Sequence, residues 1–250
     1  MKGFLWLRAL VATFLRSLLI QGSWNYQTMI GTGFGFSMLP GLRRLFRDRP
    51  EEMEAAVERH LEHFNAHPYL ASVALGASLR LEAEGDTPET VRRFKTAVRG
   101  PLGSLGDALV WATWLPLVSM SSVALYWLGL PGPWAALCFV VMYNTGHVGL
   151  RLWGFHIGLD AGRNVAVRLA GMRLTEWTAR LRSWGVVVLG VLGGALLGGS
   201  GGLGDAGVLW TALAALGFVV GLLVGHQVWR PAATVVVVVI GVLAIWGTVG

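Results

Sequence analysis

From Leu102 to Leu150 the chain carries a single charged side chain, Asp107. A helix with a face in water needs polar groups at helical intervals, so a run of this length without them must be covered by protein or by lipid. The same character marks five runs, Ala108 to Leu130, Trp134 to Leu150, Trp184 to Leu203, Gly207 to Trp229 and Pro231 to Val249. Each approaches the ~20 residues that cross a bilayer as a helix, the second and last being short. Leu130-Pro131-Gly132-Pro133, Ser200-Gly201-Gly202 and Arg230-Pro231 supply turn chemistry between them. Composition agrees, with 14% of residues charged against roughly 25% in a soluble domain. The expected fold is all-α: a polytopic membrane protein with N-terminal interfacial and re-entrant helices followed by about five transmembrane helices. Residues 1–101 form the cytoplasm-facing part and residues 102–250 the transmembrane part.

The net charge of +6 sits between apolar runs, where it sets orientation and gives no sign of nucleic-acid binding. Arg92, Arg93, Lys95 and Arg99 precede the first span. Arg151, Arg163, Arg168, Arg173, Arg180 and Arg182 fill what reads as a loop after the second, whereas Pro131 to Pro133 has none. Both basic stretches are therefore expected inside, which places the N-terminal half in the cytoplasm and the C-terminus outside. One cysteine, Cys138, allows no internal disulfide and no cysteine metal cluster.

In the first hundred residues, Phe4, Leu7, Val11, Phe14, Leu15 and Leu18 share one helical face, with Lys2, Thr13, Arg16 and Ser17 opposite, the pattern of a helix lying in a membrane surface. A signal peptide fits less well, because Arg16 interrupts the apolar run. A second helix starts at Pro50 with Glu51 and Glu52 and runs to His67-Pro68. A third runs from Pro68 to Glu84 and stops at Gly85, apolar enough to dip into the membrane as half of a re-entrant hairpin. Thr87 caps a fourth, with Pro88 at its first position and Gly100-Pro101 as its end.

Four constellations can carry chemistry. His60, His63 and His67, at i, i+3 and i+7, project from one face of an uninterrupted helix, which zinc could use, although no carboxylate is placed as in HExxH. Gly100 to Asp107 reads as interrupted backbone before a span, where transporters often hold substrate; Asp107 there accepts a substrate hydroxyl or caps the span. Asn144, His147 and Arg151 share a face of the second span and are too polar to meet lipid. Asn25, flanked by Trp24 and Tyr26, suits a sugar, with ring faces against C–H and an amide for hydroxyls; the rings also suit interface anchors.

Gln21 to Gln27 (QGSWNYQ), Leu39-Pro40, His60 to Tyr69 (HLEHFNAHPY) and Arg99 to Trp111 (RGPLGSLGDALVW) together resemble, in order, the enzyme IID component of mannose-type bacterial sugar phosphotransferase systems. Tyr143-Asn144, Arg151, Gly158 and Gly162 look like a weaker fourth block, and the resemblance covers roughly residues 17 to 165. It implies a non-catalytic membrane subunit in the bacterial inner membrane, assembled with a IIC subunit, several IIC–IID pairs together, into a hexose pathway through the lipid bilayer. Phosphate comes from the IIB and IIA phosphocarriers, and no cofactor, metal or catalytic residue is expected in this chain. The implied sugar contacts are Asn25, His60, Asn65, His67 and Asp107, with Trp24, Asn144, His147 and Arg151 in support, and the arginine-rich stretch from Arg163 to Arg182 is offered to an acidic partner.

Departures from the family pattern are His63 for a phenylalanine, Ala66 for a threonine, Glu82-Ala83 for paired glutamates, Arg99 for a methionine and Leu115 for an arginine. Two alternatives stand beside the transport reading: a sensor or scaffold subunit that assembles with IIC without sugar flux, and a membrane metalloenzyme using the three histidines.

Overall fold

The computed structural model describes residues 4–199, and every regular element among them is helical. The helices are α1 (Phe4–Ser17), α2 (Gly31–Leu45), α3 (Pro50–Leu61), α4 (Ala71–Glu84), α5 (Pro88–Gly106), a π-helical segment (Asp107–Trp114), α6 (Leu115–Trp127), α7 (Gly132–Ala161), a 3-10 turn (Gly162–Asn164), α8 (Val165–Gly171) and α9 (Leu174–Gly199). The expected spans from Gly207 to Trp229 and from Pro231 to Val249 lie outside the described residues.

The chain divides into two units. The first combines Met1–Leu115 with Val140–Thr178, and the second combines Pro116–Phe139 with Ala179–Gly250. In the first, α4 is the central helix. Every residue from Ala71 to Leu81 except Arg80 is buried, and Glu82 with them. A helix apolar on all sides belongs in a core, and here α2, α5 and α7 cover it. Glycines let α7 cross it backbone to backbone: a Cβ on Gly76 would lie 2.3 Å from the Phe155 carbonyl oxygen, and one on Gly158 would lie 2.2 Å from that of Val73. Such small-residue crossings are common where helices pack closely in membranes. In α5 the buried residues Val91, Phe94, Lys95, Val98, Leu102 and Gly106 trace one helical stripe.

Local signals place several helix ends as expected. Thr87 Oγ1 accepts the Thr90 amide at 3.3 Å, with Pro88 in the first turn. Gly85 closes α4 in the left-handed region at φ 78°. Other expectations need correction. Helix α3 stops at Leu61, so His60, His63 and His67 do not share a helical face. Gly100-Pro101 does not end α5: helix runs unbroken from Pro88 to Trp127. The carbonyl that Pro101 leaves without a donor is that of Ala97, on the exposed side, where solvent can satisfy it. That helix is the one, among the described residues, long and apolar enough to cross a membrane by length and composition. The helix that contains the second expected span runs beyond it, since α7 reaches Ala161, and the arginine-rich stretch that follows is largely helical instead of a loop.

Helix α1 also differs in detail. Leu7, Val11, Leu15 and Leu18 face outward, as an interfacial helix requires, but Thr13 and Ser17 on the opposite side are fully buried. They face protein, and Ser17 Oγ donates to its own helix at the Phe14 carbonyl.

In the second unit, α6 and the start of α7 form a hairpin. The Ser122 hydroxyl donates to the Ala135 carbonyl at 2.5 Å, and Gly129 turns the chain at φ 101°.

Candidate functional site

Two turns carry the resemblance and the fold joins them. The turn after α1 meets the turn after α3 where the Ile30 amide donates to the Phe64 carbonyl and the Phe64 amide to the Thr28 carbonyl, both at 3.1 Å. Trp24, Asn25 and Asn65 therefore come to one edge. Trp24 is 48% exposed and packs edge-on against the Tyr26 ring at 4.8 Å. Asn65 is exposed. Asn25 is occupied locally: its Oδ1 accepts the Gln27 and Thr28 amides at 3.0 and 2.8 Å, and its Nδ2 donates to Thr28 Oγ1 at 2.8 Å. This is an Asx turn, which shapes the loop. Asn25→Ala is expected to lower stability by about 1–2 kcal/mol, seen as a lower thermal midpoint and faster proteolysis between Gly22 and Thr28. Asn25→Asp, which keeps the acceptor, should lose less.

The second cluster centres on the turn at His67 to Tyr69. His67 is 2% exposed. Its Nδ1 accepts the Tyr69 amide at 3.2 Å. Burial, then the Arg151 charge, push its imidazole down to about 4, so the neutral ring carries its proton on Nε2, which has no partner among the described residues. Gly106 presses on this ring; a Cβ there would lie 2.2 Å from the His67 Cβ. That contact, and not a loop, accounts for the glycine. Asp107 follows Gly106 in the chain, exposed and helical at φ −62° and ψ −43°, so neither in a broken backbone nor acting as a cap. The His67 ring also meets Trp111 at 5.2 Å, and Trp111 is 42% exposed.

Tyr69 links this cluster to α7. Its hydroxyl bonds the Tyr143 hydroxyl at 2.6 Å, and its ring stacks on His147 at 4.1 Å. Arg151, buried, holds its guanidinium 5.0 Å from the Tyr69 ring and donates to His147 Nε2 at 2.9 Å and to the Ser17 carbonyl at 2.5 Å. Ser17 is the last residue of α1, so this cation sits at the negative end of a helix dipole with π faces and a carbonyl as its surroundings. His147 and Arg151 thus bond each other along one face of α7. Asn144 does not join them: it is exposed and donates back to the Val140 carbonyl at 2.8 Å. Sequence reasoning misses Tyr69, Tyr143, Trp111 and Trp114, although Tyr69 closes the HPY motif and Tyr143 opens the fourth block.

A cavity of about 160 Å³ is lined by Tyr69, Leu109, Val110, Trp114, Gly146, His147 and Leu150. It is smaller than the ~300 Å³ at which ordinary ligand pockets begin, and its mostly apolar walls would leave sugar hydroxyls unpaired.

His60 lies elsewhere. It is fully buried, with Nε2 2.9 Å from Glu82 Oε1. Arg59 forks onto the same carboxylate with Nε and Nη2 both at 2.7 Å, and Lys95 donates to the Arg59 carbonyl at 2.5 Å. Burial pushes the His60 imidazole down to about 4 against the pull of its Glu82 hydrogen bond. Burial pushes the Glu82 carboxyl up, but the hydrogen bonds from Arg59 and His60 outweigh it and hold it at about 2. A neutral His60 then donates Nε2–H to a charged Glu82. This is a core ion pair, and it gives His60 no route to a sugar. His63 is separate again: Arg99 donates to its Nδ1 at 3.0 Å. Two departures from the family pattern therefore meet, a polar pair in place of phenylalanine and methionine. Among the described residues no group of three or more His, Cys, Asp or Glu is placed to hold a metal ion.

Comparison with known proteins agrees with these motifs. A family described as the PTS system mannose/fructose/sorbose family IID component matches residues 5–197. The mannose-specific EIID component of Escherichia coli is 35% identical over 186 residues, covering 72% of this chain and 64% of that protein. The chain therefore spans a little under two thirds of that relative's length. The sorbose-specific EIID component of Klebsiella pneumoniae is 31% identical over 73% of this chain and 68% of its own, and the fructose permease IID component of Bacillus subtilis is 27% identical over 74% and 68%. Among solved structures, one described as a membrane protein aligns with TM-score 0.66 and 33% identity over 76% of this chain and 71% of its own. A cryo-EM structure of the mannose transporter ManYZ with a microcin shares the fold at TM-score 0.59 and 24% identity, over 97% of this chain and 96% of that one. The chain belongs to the IID components of the mannose/fructose/sorbose family of sugar phosphotransferase systems.

Proposed function

We propose that this chain is the IID half of a hexose permease in the bacterial inner membrane, assembled with a IIC subunit and passing a neutral sugar inward to be phosphorylated by IIB. In this reading residues 1–101 face the cytoplasm, residues 102–250 hold about five spans, and the C-terminus lies outside. What supports the site is a pair of contacts: Ile30 with Phe64 joins the two turns that carry Trp24 and Asn65, and Gly106 with His67 sets the second turn against the helix that carries Asp107 and Trp111. Exposed indole faces pack on sugar C–H surfaces, while the Asn65 amide and the Asp107 carboxylate replace hydroxyl hydrogen bonds to water. His67 has a buried Nε2–H that no protein acceptor among the described residues uses, and its ring supports that of Trp111 at 5.2 Å instead of meeting the sugar itself. Asn25 and His60 act at one remove, the first by shaping the loop and the second by holding α3 to α4. The chain supplies no nucleophile; the phosphoryl group belongs to IIB, whose docking is assigned to the basic stretch from Arg163 to Arg182.

The test is hexose uptake by vesicles holding this chain with its IIC, IIB and IIA partners. Asp107→Asn and Asn65→Ala are each expected to lower uptake about tenfold, the loss of one hydrogen bond, with co-purification of IIC unchanged. Unchanged uptake in both variants would remove this site. Assembly with IIC but no flux of any hexose would favour the sensor or scaffold role.

A further inference from the structure

The turn after α3 carries a positive charge that no carboxylate among the described residues answers. Phe64 is bridged to Met29 with its side chain fully buried. Extended backbone sends successive side chains to opposite sides, so His63 and Asn65 project together away from Phe64, and both are exposed. Helix α5 runs beside this turn in the same sense: Arg99 bonds His63, Gly103 lies against Ala66 and Gly106 against His67. Arg92, earlier on the same helix, is neutralised by Glu62 at 2.7 Å and Glu89 at 3.5 Å. Arg99 enters none of the ion pairs found among the described residues.

Arg99 Nη1 donates to His63 Nδ1 at 3.0 Å. A guanidinium can only donate, so in this bond His63 is the acceptor and its ring proton sits on Nε2. The bond pins the guanidinium and leaves its Nε–Nη2 edge, which matches two oxygens of an oxyanion. His63 Nε2–H is a third donor beside it. A neutral hexose held at Asn65 brings these donors no charge. The same sugar after phosphorylation brings a phosphoryl group, with up to two negative charges and three acceptor oxygens for three N–H groups. Asp107 lies about 12 Å further along the helix axis, beyond the Debye length of about 8 Å at physiological salt, so its carboxylate opposes such a ligand little.

We propose that Arg99 and His63 form a product subsite, binding the phosphoryl group of a hexose phosphate while Asn65 keeps a sugar hydroxyl. This rests on Asn65 as a sugar contact and adds what the same face does once IIB has acted. A plain carboxylate would leave one of the three donors unused.

The test uses the detergent-solubilised complex of the full chain with IIC, without IIA or IIB. Calorimetry compares mannose, glucose and fructose with mannose 6-phosphate, glucose 6-phosphate and fructose 1-phosphate. At least one hexose phosphate should bind about tenfold more tightly than its parent sugar, through hydrogen bonds to a charged group. Arg99→Met with His63→Phe should bring that ratio to about one, and Arg99→Lys, which keeps the charge without the fork, to about three. Co-purification with IIC and the thermal midpoint report whether the variants fold, and Arg99→Gln, the milder change, should lower the ratio about fivefold. A ratio near one in the native complex, or one that survives the double variant, overturns the proposal, while binding of a parent sugar keeps the sugar site. Absence of binding by sugars and phosphates alike removes both. Displacement by equimolar inorganic phosphate marks an adventitious ion only and overturns the subsite. So does an affinity for phosphorylated IIB that falls in the double variant when no hexose phosphate binds.

Discussion

Glu82→Gln is expected to lower the stability of the protein by about 3–5 kcal/mol, because it leaves the Arg59 guanidinium buried without its counter-charge. The carboxylate and guanidinium side chains are 2% and 7% exposed, so water cannot replace the lost partner. Against a total of about 5–15 kcal/mol, this should appear as aggregation on extraction or a much lower thermal midpoint in detergent. Replacing both partners, Arg59→Met with Glu82→Leu, should recover most of the loss, since a buried pair exchanged for apolar side chains is often neutral. An equal loss in single and double variants would show that the pair is not the source. The pH dependence follows from the same groups. His60, lowered from 6.5 to about 4, gives stability that is full above 6.5 and lost as pH falls toward 4. Glu82, lowered from 4.5 to about 2, adds stability that is present above 4.5 and lost as pH falls through about 2. Acid unfolding should therefore extend over both windows, and Glu82→Gln should abolish the lower one.

Gly158→Val should be comparably severe for a different reason. A Cβ at Gly158 would lie 2.2 Å from the Val73 oxygen and 2.7 Å from the Ala77 nitrogen. Those atoms are helix backbone and cannot rotate aside as a side chain would. Overpacking usually costs about 1–3 kcal/mol where side chains can adjust, and here α4 and α7 must separate. Gly149→Ala provides the control, since Gly149 is on the same helix with nothing within 4 Å of its Cβ position. It should hold or slightly raise the thermal midpoint, as alanine is the better helix former. Equal midpoints for the two variants would refute the close crossing.

Helix class and many boundaries are legible in the sequence because their causes are local. Thr87-Pro88 and Gly85 act through atoms within four residues. The segment from Gly100 to Asp107 reads as a loop and is not one, because its glycines answer to a distant residue. Gly106 is small to admit His67, and the helix continues past Pro101 because the orphaned carbonyl is exposed. The π-helical segment is invisible in the sequence for a similar reason: the Leu115 amide reaches back to Val110 and the Thr113 hydroxyl to Ala108, each five residues away, and no residue type announces that choice. Histidine spacing misleads because it carries a helical period past Leu61, where the helix stops. At the candidate site, the motif blocks identify the two turns, but which side chains remain available depends on neighbours: Asn25 is consumed by its own loop, His60 by Glu82, and Asn65 is left to the surface. Tyr69 gains its place through contacts with Tyr143 and Arg151, more than seventy positions along the chain.

The meeting of α4 and α7 has an evolutionary consequence. Where two helices touch through main-chain atoms, the junction asks only that a few hydrogens stay hydrogens and is indifferent to the identity of the surrounding apolar side chains. Neighbouring positions such as Val73 and Phe155 can then drift among residues of similar bulk while the crossing keeps its place. A scaffold joined in this way can preserve its architecture through extensive sequence turnover, leaving the residues on its exposed surfaces free to change.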